Sequence, residues 1–421
     1  MDINKIRYQG DLQDTKDLYE VYKVKQIINS HEEILKEHIT FRDKLLANSV
    51  RLTSVISPRL HKIIEKVKLT FNLKEKIEFF SLNDNSYNAF AFKQKSNLSI
   101  VFTSALLENF ADNEIIFVLG HEIAHILYDH NRLLYLYNPN KKKITFLPIL
   151  AEKKFLTWQK KAEISCDRAG LVACMDYETA IQSLLKISYG LTEKNLDFNL
   201  PELMKQLEDL SHSEYLSQLS TATHPILPVR LKALELFQNS KLFSNKGNIS
   251  PENLAQDVDK LIALTKFYPR NKTKEQMMKF VAAGGVSVIA IDKEINIEEI
   301  KSLVKILADV FTDDPEKEII YNKEKVETQL NKSAKYIKSK ATDYDKFCVL
   351  HFLTVIALSD GKYTSKEKNM LLKLAELIGF SKDETMDVVW KTLQQNGINI
   401  DVRLNEIAQN VKEHYADYLK E

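Results

Sequence analysis

The stretch Leu119-Gly120-His121-Glu122-Ile123-Ala124-His125 has residue types and a spacing that are hard to explain without a metal ion. It continues a run from Asp112, the predicted N-cap, that has helical periodicity and no proline. Residues four apart on a helix lie one turn above each other, so His121 and His125 can present imidazole nitrogens to the same zinc ion. Glu122 stands beside them, where a carboxylate can take a proton from zinc-bound water. A structural helix with two incidental histidines is the competing interpretation.

Length and composition are those of a multidomain globular protein. The 421 residues are enough for two or three domains, each with its own core. The content of 44% hydrophobic and 28% charged residues is typical of soluble proteins, and only 10 Gly and 9 Pro favour a largely helical fold. The net charge of +1 gives no reason to expect a nucleic acid partner.

No segment of the sequence has the pattern of a membrane span or a secretion signal. The first seven residues lack the apolar core of a signal peptide, and the longest apolar run, residues 281–291, is too short to cross a bilayer. We therefore predict no integral membrane segment. Three cysteines, Cys166, Cys174 and Cys348, are an odd number without C-x-x-C spacing, which predicts a reducing, cytoplasmic location.

Short strands are predicted between an N-terminal helical segment and the histidine-bearing helix. Residues 11–78 have helical patterns with a break at Ser57-Pro58, and strand patterns follow at residues 76–82, 89–92 and 99–102. Strands just before the metal-type helix favour an α+β peptidase core.

The second of these strands has a possible function of its own. An exposed strand edge beside a zinc ion can add an extended peptide as a further strand through main-chain hydrogen bonds. Asn88, Ala89, Phe90 and Ala91 are the candidates for that edge. An ordinary core strand explains the same residues equally well.

A catalytic zinc normally has three protein ligands, so the two histidines need a third. The candidate is Glu163, on a predicted helix where Asp167 lies one turn further along. One carboxylate can bind the metal while the other accepts the free N–H of a ligating histidine. An acidic pair on a solvated helix face remains the alternative on spacing alone. Cys166 has no evident activating partner and reads as a small buried residue.

Four motifs in one order resemble the HtpX-like and CAAX-prenyl-protease family of zinc metallopeptidases over residues 40–240. They are Asn88-Ala89-Phe90, the stretch from Leu119 to His125, Glu163-x-x-x-Asp167-Arg168-Ala169, and Thr223-His224-Pro225 with Arg230 six residues after the histidine.

The resemblance implies a role for each matching residue. His121, His125 and Glu163 would bind one Zn²⁺ per chain, and Glu122 would be the general base. Asp167 would orient one of the two histidines, and residues 88–91 would bind substrate. His224 and Arg230 would lie in a segment that closes over the cleft, with His224 near the zinc as a catalytic or latching group and Arg230 paired with an acid. A plain Thr-His-Pro turn remains the alternative for His224.

The chain departs from the family in one respect. Many members carry transmembrane helices around the peptidase core, and none is predicted here. The expected substrate is therefore a soluble polypeptide, extended or unfolded, rather than a prenylated or membrane-embedded one.

The C-terminal part is predicted to be all-helical and internally repeated. Residues 286–307 and 353–375 each contain an apolar helix, a short acidic turn and an amphipathic helix. Residues 275–395 resemble the tellurite-resistance TerB-like helical domain, which accompanies varied stress and defence proteins and implies regulation or protein docking. Asp292, Asp360 and Glu367 could bind a cation there, but acidic helix caps are the favoured interpretation.

We therefore expect a mostly helical α+β fold with a zincin-type peptidase core, a small edge sheet and an all-α C-terminal domain. The expected domains are an N-terminal helical segment at 1–75, the peptidase core at 76–240, a linker at 241–254 and the TerB-like domain at 255–421. The expected function is zinc-dependent endoproteolysis. The alternative is a stress- or defence-related interaction protein that has a structural or latched zinc site.

Overall fold

The computed structural model describes residues 3–20, 41–74, 76–94, 97–134, 149–192, 199–211, 225–263, 271–291, 297–312, 314–361 and 363–395. The chain forms two compact units. The first contains residues 1–145 and 154–266, and the second contains residues 146–153 and 267–421. The predicted mostly helical α+β fold is confirmed.

The first unit surrounds a four-stranded sheet with helices. Its helices are α1 (Ile3–Ile6), α2 (Gln9–Glu20), α3 (Phe41–Asn48), α4 (Pro58–Thr70), α5 (Ser104–Asn109), α6 (Asp112–Leu127), α7 (His130–Leu134), α8 (Ile149–Cys174, from residue 154 onward), α9 (Tyr177–Tyr189), α10 (Leu200–Ser211), α11 (Leu227–Gln238) and α12 (Pro251–Ala263). Its strands are β1 (Val50–Arg51), β2 (Ile77–Leu82), β3 (Ala89–Gln94) and β4 (Asn97–Thr103), in the order β1-β2-β4-β3.

The three predicted strands are present, and a fourth, β1, lies where a helical pattern was expected. Strand β1 pairs with β2 through Val50 and Ser81, so a partner about 30 residues away, rather than local pattern, determines its conformation. Strands β2 and β4 are parallel, and β3 is antiparallel to β4. Among the described strands, this order places β3 at one end of the sheet.

Alternating side chains bury both faces of the sheet. Phe79, Ile100 and Phe102 point into the main core, while Phe80 and Val101 point to the other face and pack with Leu45. The central strands are thus fixed on both sides, which holds β3 in a defined position.

Helix α6, which carries the two histidines, is buried along most of its length. Ala111, rather than the predicted Asp112, is its N-cap, and Asp112 is the first helical residue. Glu114 accepts a hydrogen bond from the backbone N–H of Ala111 at 2.7 Å and forms a buried ion pair with Lys186 at 2.7 Å. A carboxylate in the first turn is stabilised by the partial positive charge of the helix N-terminus.

Two glycines allow α6 and α8 to approach closely. A Cβ atom at Gly120 would come within 2.6 Å of the Ala173 Cβ, and one at Gly170 would come within 2.8 Å of the Phe117 ring. Larger residues at either position would push the helices apart. The crossing therefore fixes the distance between the side chains that α6 and α8 present to each other.

Helix α12 belongs to the first unit, although we expected a linker at 241–254 and the second domain from residue 255. Leu254, Val258 and Ile262 are buried in the first core, where α12 packs on α11. The stretch around residues 239–251, rich in Ser, Asn, Lys and Gly, is a turn region inside this unit, and the division between the units falls after Lys266.

The described part of the second unit is entirely helical. Its helices are α13 (Lys272–Ile289), α14 (Ile297–Val310), α15 (Lys323–Lys340), α16 (Asp343–Ala357), α17 (Ser365–Ile378) and α18 (Lys382–Gln395), with a 3₁₀ turn at Pro315–Glu318. The apolar run 281–291 lies largely within α13, which is buried in this unit. Among the described residues, no helix combines the length and apolar character needed to cross a membrane.

The acidic residues of the second unit are partly explained by helix capping. The Glu367 carboxylate accepts the backbone N–H of Thr364 at 2.6 Å, and the Thr364 hydroxyl accepts the backbone N–H of Glu367 at 3.2 Å. This capping box agrees with the favoured interpretation of Glu367. Asp360 lies in the turn after α16, and Asp292 lies outside the described residues.

A buried histidine makes the second unit sensitive to acid. Burial lowers the pKa of His351, in α16, to about 4, and its Nδ1 lies 3.0 Å from the Thr392 hydroxyl. The unfolded chain protonates this imidazole below about pH 6.5, so it binds more protons than the folded chain between pH 6.5 and 4. Stability therefore falls as the pH falls through that window. We expect the free energy of unfolding to fall by about 2 kcal/mol from pH 7 to pH 5 because of His351.

The two tryptophans, Trp158 in the first unit and Trp390 in the second, allow this to be measured. In protein labelled with 5-fluorotryptophan, the ¹⁹F signal of Trp390 reports urea unfolding of the second unit at pH 7 and at pH 5. In the variant His351→Leu, the free energy of unfolding should differ much less between pH 7 and pH 5 than in wild type. An unchanged difference in the variant would assign the acid sensitivity to other groups.

Candidate metal centre

Three side chains of the first unit form a compact triangle of donor atoms. The Nε2 atoms of His121 and His125, from α6, lie 3.2 Å apart. Oε2 of Glu163, from α8, lies 3.4 Å from Nε2 of His121, and Oε1 of the same carboxylate lies 3.4 Å from Nε2 of His125. All three side chains are buried.

The triangle has the size that a zinc ion requires. Tetrahedral zinc binds nitrogen and carboxylate oxygen at about 2.0–2.1 Å, so neighbouring donors are separated by about 3.3 Å. The separations of 3.2–3.4 Å are close to this edge length, with a different oxygen of Glu163 facing each histidine. Two neutral imidazoles and one carboxylate also form a donor set used by catalytic zinc sites, so the residues fit the ion.

A buried carboxylate and a guanidinium hold His121 in place. The Asp167 carboxylate lies 3.0 Å from Nδ1 of His121 and accepts two hydrogen bonds from Arg230, at 2.8 and 2.6 Å. Burial alone would raise the pKa of Asp167, but the neighbouring Arg230 and His121 outweigh it and lower the pKa. An ionised Asp167 accepts the Nδ1 proton of His121, which leaves Nε2 as the metal donor.

The same carboxylates make the cluster attractive to positive charge. Burial alone would lower the pKa of His121, but Asp167 and Glu163 outweigh it and raise the pKa to about 10. Without an ion the cluster therefore binds a proton, and a divalent cation would satisfy the same negative charge.

His125 is held from the opposite side by a second histidine. Its Nδ1 lies 3.2 Å from Nδ1 of His130, and Nε2 of His130 lies 3.1 Å from the carboxylate of Asp11. Asp11 also accepts hydrogen bonds from Arg7, Trp158 and Ser165 at 2.7–3.0 Å. Burial alone would raise the pKa of Asp11, but His130 and Arg7 outweigh it and lower the pKa far below its usual range.

Glu122 lies in the same turn as the donor histidines and lines the cavity together with β3. Its side chain is largely buried, with 8% of the residue exposed, and the backbone N–H of Ala91 in β3 contributes to the electrostatics of its carboxylate. Burial raises the pKa of Glu122 above its usual range. A raised carboxyl pKa is typical of groups that accept and release protons near neutral pH.

A cavity of about 340 Å³ opens onto the triangle. One wall is the stretch from Asn88 to Ala91, and the donor side chains form another. Phe117, Val118, Leu184 and Ile187 supply an apolar lining. The cavity thus offers an apolar recess beside the donors and a strand along one side.

The structure brings together all but one of the residues selected from the sequence. His121, Glu122, His125, Glu163, Asp167 and Arg230 lie around the triangle, and Asn88, Ala89, Phe90 and Ala91 line the cavity. His224 lies outside the described residues.

Cys166 lies closer to the donors than the sequence indicated. Its sulfur and the ring nitrogens of His121 and His125 lie within 4.8 Å of one another, and it is 3.6 Å from Nδ1 of His130. The residue is fully buried, and burial raises the pKa of the thiol well above its usual value. A thiol in such surroundings is protonated at neutral pH, in agreement with its interpretation as a small buried residue.

Asp11 and His130 were missed in the sequence. His130 follows His125 by five residues, which does not place it on the same helical face, so spacing alone gave no reason to select it. Asp11 lies in an N-terminal segment with no recognisable motif. The only indication in the sequence was that His130 is a third histidine shortly after the H-E-x-x-H motif.

Two family models match the chain. The model for peptidase family M48 matches residues 56–237, and the model for tellurite resistance protein TerB matches residues 279–388. The plastoglobule-localized metallopeptidase 48, chloroplastic, of Arabidopsis thaliana is 28% identical over 192 residues, which cover 42% of this chain and 55% of the relative. The chain thus spans little more than half the length of that curated relative. No solved structure matches it.

Proposed function

The chain carries a peptidase family M48 domain followed by a TerB domain, as both resemblances predicted, and from this we propose that it is a zinc-dependent endopeptidase. The observation that carries the proposal is the donor triangle of His121, His125 and Glu163 with Glu122 beside it. A purely structural zinc site needs four protein ligands and no general base, whereas three ligands and a carboxylate base are the parts of a hydrolytic site.

Each side chain around the triangle has a task in the proposed hydrolysis. Zinc bound by His121, His125 and Glu163 would polarise the scissile carbonyl and lower the pKa of a bound water to about 7. Glu122 takes the proton of the attacking water and delivers it to the leaving amine. Asp167 and Arg230 keep His121 in the tautomer that presents Nε2.

The proposed substrate is a polypeptide in an extended conformation. Strand β3 stands at one end of the described sheet, and residues 88–91 line the same cavity as Glu122 and the donors. A peptide lying along residues 88–91 would pass beside the triangle. The apolar lining from Phe117, Val118, Leu184 and Ile187 would accommodate an apolar side chain next to the scissile bond.

Three further proposals concern the metal content, the role of the TerB domain and the cellular compartment. We propose one Zn²⁺ per chain, a regulatory or protein-docking role for the TerB domain, and action in a reducing compartment such as the cytoplasm. The last point is supported by three buried free cysteines.

The test is metal content together with cleavage of an unfolded protein. Purified protein should contain about one zinc per chain by elemental analysis and should cleave casein. Removal of the zinc with a chelator should abolish cleavage, and added Zn²⁺ should restore it. Bound zinc without cleavage would instead favour the alternative of a non-proteolytic interaction protein, and the absence of bound zinc would refute both.

A further inference from the structure

We propose that Asp11 is a positioning residue that acts through His130 to fix the tautomer and orientation of His125, so that the N-terminal segment completes the metal centre. This inference rests on the proposed function only in that His125 is taken as a zinc ligand. It assigns a function to a segment, residues 3–20, that lies outside the matched peptidase domain at 56–237.

The contacts form an unbroken chain from the carboxylate to the donor. Asp11 lies 3.1 Å from Nε2 of His130, and Nδ1 of His130 lies 3.2 Å from Nδ1 of His125. The Nε2 atom of His125 is one corner of the donor triangle. Asp11 and His130 are both completely buried, so no solvent competes for these bonds.

The positions of the protons follow from the donor count. The Asp11 carboxylate receives hydrogen bonds from Arg7, Trp158 and Ser165, so it is an acceptor and His130 must supply the proton of its Nε2. Neutral His130 then has a lone pair on Nδ1, and the proton between the two rings belongs to Nδ1 of His125. The lone pair of His125 is thereby directed to Nε2 and the triangle.

Charged, aromatic and thiol groups surround His130. Nη2 of Arg7 lies 3.4 Å from its Nε2, so a positive charge already faces the ring. The Cys166 thiol, 3.6 Å away, and the Tyr128 and Trp158 rings complete its surroundings. When His130 donates its Nε2 proton to Asp11, the lone pair on its Nδ1 can accept the Nδ1 proton of His125. A doubly protonated His130 would have no lone pair for that proton.

The two histidine donors are therefore fixed in parallel ways. Asp167 binds Nδ1 of His121 directly, and Asp11 binds Nδ1 of His125 through the intervening ring. Carboxylates that orient ligating histidines raise metal affinity by about 10- to 100-fold.

Several bonds fix the N-terminal segment against the first core. The Tyr128 hydroxyl donates to the carbonyl of Ile3 at 2.7 Å, the Arg168 guanidinium donates to that of Ile6 at 3.3 Å, and Tyr8 hydrogen-bonds to Asp259. Because these contacts place α2 independently of Asp11, exchange of this one carboxylate can be studied in a folded chain.

The chain offers a matched control for Asp11. Asp14 lies one turn further along α2, is also buried, and pairs with Lys154 at 2.7 Å and Lys161 at 2.9 Å. None of these partners contacts a donor of the triangle among the described contacts. A general role of buried carboxylates in stability would affect Asp11→Asn and Asp14→Asn alike.

The experiment compares metal binding by full-length wild type, Asp11→Asn and Asp14→Asn. Affinity is measured for Zn²⁺ and Co²⁺ by competition with a chromogenic chelator, and the ring N–H protons of the ligating histidines are observed by ¹H NMR of the Co²⁺ protein. Wild type should show two N–H signals protected from solvent exchange. Asp11→Asn should bind both metals about 10- to 100-fold more weakly and lose protection of one signal. Asp14→Asn should retain wild-type affinity and both signals.

Equal affinities of Asp11→Asn and wild type, or equal losses in both variants, would overturn the inference. If Asp11→Asn does not fold, His130→Asn keeps an acceptor near the Nδ1 position and His130→Phe removes it, so the affinities should fall in the order wild type, His130→Asn, His130→Phe. A single protected N–H in wild type would refute the inference without any variant. Failure of wild type to bind either metal would instead refute the proposed function.

Discussion

Replacing Glu122 with Gln is expected to slow casein cleavage by about 10³-fold while one zinc per chain remains bound. Glutamine has nearly the same size as glutamate, so the site keeps its shape. The amide cannot accept the proton of the attacking water. Loss of general base catalysis without loss of metal is therefore the expected signature.

This prediction is checked with fluorescently labelled casein and with elemental analysis of the same samples. Glu202→Gln is the control, because Glu202 is exposed on α10 and pairs only with Lys205 among the described contacts. It should cleave at the wild-type rate. Cleavage by Glu122→Gln at a rate near that of wild type would remove Glu122 from the mechanism, whatever the metal content.

Replacing Glu163 with Gln is expected to weaken zinc binding by about 10²- to 10³-fold. Structural zinc binding by four ligands is worth about 10–16 kcal/mol, and this loss is the share of one ligand. Asp167→Asn should weaken binding less, by about 10- to 100-fold, because Asp167 would act on the metal only through His121, whose Nδ1 it contacts. The order of the two effects separates a ligand from a residue that orients one.

Zinc affinity of both variants is measured by chelator competition, with thermal unfolding at saturating zinc as the stability control. That control is needed because Asp167→Asn leaves the buried Arg230 without its main partner. A larger loss of affinity in Asp167→Asn than in Glu163→Gln, with both variants folded, would contradict the assigned ligand set.

The residues of the centre that could be predicted from the sequence lie at regular helical spacing within a single helix. His121, Glu122 and His125 lie within two turns of α6, so a helical period is enough to bring them together. The spacing of Glu163 and Asp167 is equally regular but is common on solvated helix faces. The order of four motifs, rather than spacing, selected those two residues.

The remaining parts depend on partners far away in the chain. Strand β1 has too few residues for a period, and its conformation follows from pairing with β2. Helix α12 follows a turn-rich stretch that resembles a linker, and only its burial against α11 assigns it to the first unit. Asp11 meets His130 across 119 residues, and nothing in the local pattern of α2 points to that contact.

That separation also bears on when the centre can form during synthesis. Asp11 must find His130, and Asp167 must find Arg230, which is 63 residues further along the chain. A chain emerging from the ribosome acquires the last of these partners only after nearly the whole first unit has been made. The contacts that hold the two donor histidines are therefore complete only when the first unit has folded. The proposed peptidase would then become active only after its own unfolded chain is no longer available as a substrate.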